Sequence, residues 1–149
     1  MTPSRVLPAV MLLALACACA RQAPVRVPEG PPPPPAAGKV LRSGGFLEAT
    51  ARGFPDPMAG EQTQRRSTSR DAAIFEARRL LVGFVKKMKA PYGGTVGRRA
   101  ERDGLYAQRL NTWAEGAPVT QTRWDDDDSA VATVTAEESA LRVTLDLGK

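Results

Sequence analysis

Histidine is missing from this chain altogether. Its absence removes Ser-His and Cys-His nucleophilic pairs and the commonest form of zinc ligation. Cysteine is nearly missing too. Cys17 and Cys19 are the only two among 149 residues, so a framework disulfide has no partner in the rest of the chain. Aromatic residues make up 5% and do not interleave with basic ones, which takes away the stacking platform of a nucleic-acid binder. No apolar run reaches the roughly 20 residues that a spanning helix needs. No strand–helix–strand repeat is present either, which excludes a doubly wound parallel sheet.

Two sequence features suggest a ligand site without the spacing for one. The stretch Tyr92–Gly97 is rich in glycine, but it lacks a following Gly-Lys-Ser/Thr and comes after a helix where a phosphate loop needs a strand. Asp125–Asp128 has neither the alternating oxygen ligands, the turn glycine nor the later glutamate of a calcium loop. It reads as a polar turn between strands. No two acids sit at facing stations for glycoside hydrolysis. The sequence therefore nominates no catalytic residue, metal site or cofactor.

The first part of the chain is an address. Residues 1–18 have a short n-region with Arg5, the apolar run VLPAVMLLALA, and small residues around Cys17 and Cys19, the pattern of an export signal. Leu13–Cys17 and Leu15–Cys19 each fit a loose bacterial lipobox, so either cysteine is a candidate for lipidation, with plain cleavage after Ala18 or Ala20 as the alternative. Lipidation would hold the protein on a membrane. The alanine after either cysteine points to the periplasmic face of the outer membrane. Residues 19–38 form a tether built on Pro31–Pro35, a stiff spacer of about 3.1 Å per residue. Residues 39–149 remain for a single domain.

Within that domain, Ser67–Ala90 is the longest periodic stretch. At 100° per residue, Ala73, Ala77, Leu80, Leu81, Phe84 and Met88 form one apolar stripe, edged by Ile74 and Val85. Ser67, Thr68 and Ser69 offer cap oxygens, and Pro91 stops the helix. Phe75 and Val82 fall outside the stripe, so either another element covers them or they form a contact surface. A second, shorter helix is expected over Glu101–Glu115, with Tyr106, Leu110 and Trp113 on one side. Val40–Arg52 reads as extended chain interrupted at Gly44-Gly45. Val119–Trp124, Ala130–Thr135 and the alternating Leu141–Leu147 read as strands. Trp124 is a strand-end core residue or an exposed contact. The expected fold is α+β, a small antiparallel sheet packed on one long helix with a second shorter helix.

Charge is unevenly spread. Residues 39–109 carry 15 basic and 7 acidic side chains, and residues 110–149 carry 3 and 8. Copies of such a chain can attract head to tail and build a ring or filament; the alternative is two unrelated solvated faces. The candidate interface residues are Phe75, Arg78, Arg79, Val82, Asp126 and Asp127.

The order of these stations resembles the flagellar outer-membrane lipoproteins of the FlgP type. The stations are the lipobox and tether, Ala51-Arg52-Gly53, Ser69–Ala72 with Glu76–Leu80, Gly94-Thr95-Val96, Ala114–Ala117, Asp125–Asp128 and Val143–Leu147. The resemblance implies a non-enzymatic structural lipoprotein, a homo-oligomer polymerising beneath the outer membrane around the flagellar motor. Relatives of that family also serve as general envelope lipoproteins. A periplasmic module binding a small ligand or peptidoglycan is therefore the competing expectation.

Overall fold

Two consecutive glycines start the sheet. Gly44 and Gly45 have φ of 57° and 83°, the pair of positive values that a two-residue hairpin turn demands. They join β1 (Lys39–Ser43) to β2 (Phe46–Gly53), with Ser43 opposite Phe46. This is a computed structural model, and it describes residues 37–91 and 93–148. The export signal, Cys17, Cys19 and the proline run lie outside the described residues.

After β2 come α1 (Gln62–Lys86), α2 (Val96–Arg102) and α3 (Gly104–Glu115), then β3 (Val119–Trp124), β4 (Ala130–Glu137) and α4 (Glu138–Leu145). The four strands form one antiparallel sheet in the order β1-β2-β4-β3. The architecture is α+β. Among the described residues no helix is long and apolar enough to cross a membrane.

α1 lies across β2 and β4. Strand alternation turns Leu47, Ala49 and Ala51 of β2, and Ala132, Val134 and Ala136 of β4, towards it. Facing them are the buried residues Ala73, Ala77, Leu81 and Val85. Small side chains on both surfaces bring helix and sheet close together. The closest approach is at Gly53, where a Cβ would stand 2.2 Å from the Ala73 nitrogen and the Ser69 oxygen. On the opposite face of the sheet, the Thr50 and Thr133 hydroxyls hydrogen-bond each other at 2.9 Å.

The structure departs from the sequence reading in three places. First, α1 starts at Gln62 and ends at Lys86, about a turn earlier at each end than expected. Ser67, Thr68 and Ser69 are not caps. The hydroxyls of Thr68 and Ser69 donate to the carbonyls of Arg65 and Arg66, at 3.0 Å each, as such residues do inside helices. Ser69 is small because it packs under Gly53.

Second, the helix expected over Glu101–Glu115 is two helices. Asp103 breaks them with extended backbone (φ −128°, ψ 101°), and its carboxylate accepts from the Tyr106 amide at 3.0 Å as the cap of α3. Thr95 caps α2 in the same way, so Val96 and Gly97, expected in a turn, are helical.

Third, Leu141–Leu147 is not a strand. α4 occupies Glu138–Leu145. Leu141 and Leu145 are four apart, a spacing common to a strand face and a helix face, and both are fully buried. Val143, which a strand would turn to the same side, is 84% exposed. β4 already has a neighbour on each edge, which leaves a further strand no place beside it.

Candidate functional site

α1 covers the centre of the sheet and leaves an open flank on the side of β3 and α3. A groove of about 670 Å³ runs there. Ile74, Phe75 and Val82 line it from α1, Ala114 and Glu115 from α3, and Val119 from β3. Phe75 is 71% exposed on its rim. Arg78 reaches the bottom, where Nη2 donates to the Ala117 carbonyl at 3.2 Å while its buried Nε has no partner. Arg70 and Asp71 border one end. Arg79 is held by Glu76 through two hydrogen bonds of 2.7 and 2.5 Å, and this pairing keeps the Glu76 carboxyl below its ordinary range. Four of the six nominated residues, Phe75, Arg78, Arg79 and Val82, therefore share one groove.

Asp126 and Asp127 lie elsewhere, on the β3–β4 turn at the N-terminal end of α1. That turn is more than a solvated loop. Asp125 pairs with Arg52. Asp128, with a left-handed backbone (φ 61°), accepts from Arg65 Nε at 3.1 Å, Arg66 Nε at 3.0 Å and Gln62 Nε2 at 3.4 Å. Arg66 foremost, helped by Arg65 and Gln62, holds the Asp128 carboxyl below its ordinary range. Asp127 accepts from the Ser129 amide at 3.0 Å. The indole of Trp124 donates to the Arg66 carbonyl at 3.0 Å and stays partly exposed. Sequence reasoning missed these partners because Arg65 and Arg66 stand about sixty positions before the aspartates, and nothing local links them.

The C-terminal end of α1 has the reverse character. Lys86, Lys87 and Lys89 meet Arg98, Arg99 and Arg102 of α2, which crosses closely there; a Cβ on Gly97 would stand 3.0 Å from the Lys86 carbonyl. None of these six cations makes an ion pair among the described residues. Arg99 lies 4.5 Å over the centre of the Tyr106 ring, a cation–π contact. Burial pushes the Tyr106 phenol above its ordinary value, with Arg99 opposing.

Among the described residues, no group of three or more metal-ligating side chains stands close enough to hold an ion. Chemically, the described surface offers an apolar groove with the Arg78 guanidinium at its bottom, and opposite charges at the two ends of one helix. No family model, no curated protein and no solved structure matches this chain.

Proposed function

We propose that this chain is a structural, non-catalytic lipoprotein of the bacterial envelope. It is anchored through Cys17 or Cys19 to the periplasmic face of the outer membrane and assembles into a ring or disc at the flagellar motor. The observation that carries the assembly reading is the charge polarity of α1. Among the described residues, Asp126 and Asp127 make no ion pair at one end, and six cations without an ion pair stand at the other. Opposite poles on one rigid element attract copies of the chain to one another and set their orientation. The flagellar location rests on the order of sequence stations alone.

Native mass across protein concentration and salt tests the reading. A discrete oligomer that dissociates at high salt is the expected result. Reversal of Asp126 and Asp127 to lysine should weaken it, and an unchanged size at low salt would remove the charge argument. A monomer under every condition would favour the second reading, an envelope lipoprotein acting as a binding module for a small ligand or peptidoglycan. The groove beside Phe75 supports that alternative.

A further inference from the structure

Two of the exposed apolar features left over by the core lie along α1. One is the loop between β2 and α1, where Phe54 is 65% exposed and Met58 88%. This loop is well braced. Pro55 and Pro57 fix two of its φ angles. The Asp56 amide donates to Thr68 Oγ1 at 3.0 Å, the Met58 amide to Asp56 Oδ1 at 2.8 Å, and the Ala59 amide to the Asp56 carbonyl at 3.0 Å. The result is a preorganised knob, two apolar side chains with a carboxylate between them. The second feature is the groove on α1, whose volume of about 670 Å³ exceeds that of the two side chains together.

The placement of the two features is informative. The loop is fastened to α1 at Thr68, seven residues before Phe75. Seven residues advance a helix by about 10 Å and almost two full turns, so Thr68 and Phe75 lie on one stripe and the knob stands beside the groove. A surface with a projection next to a matching depression is complementary to itself under a two-fold rotation.

We infer that two copies of this chain pair about a two-fold axis with their α1 helices antiparallel, the Phe54–Met58 loop of each filling the groove of the other. This rests on the assembly reading and deepens it. Two observations favour a second copy as the occupant. Arg70 and Arg78 in the groove make no ion pair among the described residues, and Asp56 brings them a carboxylate between the two apolar anchors. Asp71 and Glu115 also line the groove, and Arg79 there is paired with Glu76, so what Asp56 adds is an acceptor for the guanidinium groups of Arg70 and Arg78. In addition, an antiparallel pair sets the acidic end of each α1 beside the basic end of the other. The dimer thus satisfies the charge polarity within a closed unit, and larger assemblies are built from pairs.

The test uses the full chain in detergent, with a photo-reactive benzoyl-phenylalanine in place of Phe75 and a mixture of isotopically light and heavy copies. Cross-links from position 75 of one copy to residues 54–59 of the other are expected. Cross-links that land on any other segment, or only within one copy, overturn the proposal. Met58→Glu and Phe75→Glu, both at exposed positions and therefore neutral for melting, should each raise the dimer dissociation constant at least tenfold. Wild-type dissociation constants for both would overturn the loop-in-groove contact while leaving assembly by another surface standing. A wild-type chain that is monomeric at every concentration would remove both readings together.

Discussion

At the N-terminal end of α1, Arg65 and Arg66 meet Asp128 while Arg52 meets Asp125. At the C-terminal end, Lys86, Lys87, Lys89, Arg98, Arg99 and Arg102 meet no carboxylate among the described residues. Backbone packing follows the same division. Gly53 presses against Ser69 and Ala73 with no room for a methyl group, whereas at Gly97 a Cβ would stand 3.0 Å from the Lys86 carbonyl, tight but short of overlap. One end is a joint that fixes the β3–β4 turn to the helix through Asp125 and Asp128, and among the described residues only Asp126 and Asp127 of that turn are left without an ion pair. The other end is held by ordinary packing, and its charges remain free for a partner. Clusters of basic residues that look alike in sequence thus divide into structural and available ones by whether acids from distant strands reach them.

The largest expected effect breaks the tight end. Gly53→Ala places a Cβ inside two backbone atoms and should cost more than about 3 kcal/mol in urea unfolding, against about 1 kcal/mol for Gly97→Ala. Equal losses would mean that the two ends are packed alike. Nearly as large is Leu145→Ala, at about 3 kcal/mol for a fully buried leucine. Val143→Ala should lie within about 0.5 kcal/mol of zero. Comparable losses at both positions would restore a strand at the C-terminus.

A smaller effect tests an ion pair away from α1. Glu138 is nearly buried and accepts from Arg42 Nε and Nη2 at 2.7 and 2.6 Å, and from Arg142 Nη2 at 2.7 Å. These bonds, Arg42's foremost, hold its carboxyl below the ordinary range. A carboxyl whose pKa is depressed on folding adds stability that is complete above the unfolded value, about 4.3, and that disappears as pH falls through the folded value. Glu138→Gln should therefore cost about 1 kcal/mol at neutral pH, after allowance for solvent around half-exposed Arg42. The cost should shrink in acid, and a pH-independent difference would show that the carboxylate is not the group at work. Smallest of all for stability is the pair Lys86→Glu with Lys87→Glu. The urea midpoint should not move, while the salt-dependent native mass should fall to that of a smaller species. A shifted midpoint would place these lysines among the structural charges.

Local chemistry made much of the fold legible. Gly44-Gly45 announced a break in the extended chain, the i, i+4 apolar residues of α1 its buried stripe, and Asp125–Asp128 a turn. The failures were local as well. Leu141 and Leu145 satisfy helix and strand spacing equally, and only the occupied edges of β4 decide between them. Asp103 sits inside an apparent helical period, and its capping bond with Tyr106 is visible only in three dimensions. At the candidate site, the off-stripe positions of Phe75 and Val82 left open a covering element or a contact surface, and both residues line one groove. Asp125–Asp128 read only as a polar turn because the ion pairs that fasten it to α1 span more than sixty residues.

The position of β4 bears on how the molecule comes into being. It lies between β2 and β3, the most enclosed strand of the sheet, yet it begins at Ala130. Leu47 must wait for Ala136 as its neighbour. A chain delivered amino end first, from a ribosome or through a translocation pore, presents the apolar stripe of α1 with only β1 and β2 of its sheet to shelter it until β4 emerges. Such late closure keeps the polypeptide threadable during delivery and makes folding slow to begin. It also exposes aggregation-prone surface for the whole passage, so a molecule interrupted before β4 would be a client for chaperones and proteases and not a smaller version of the fold.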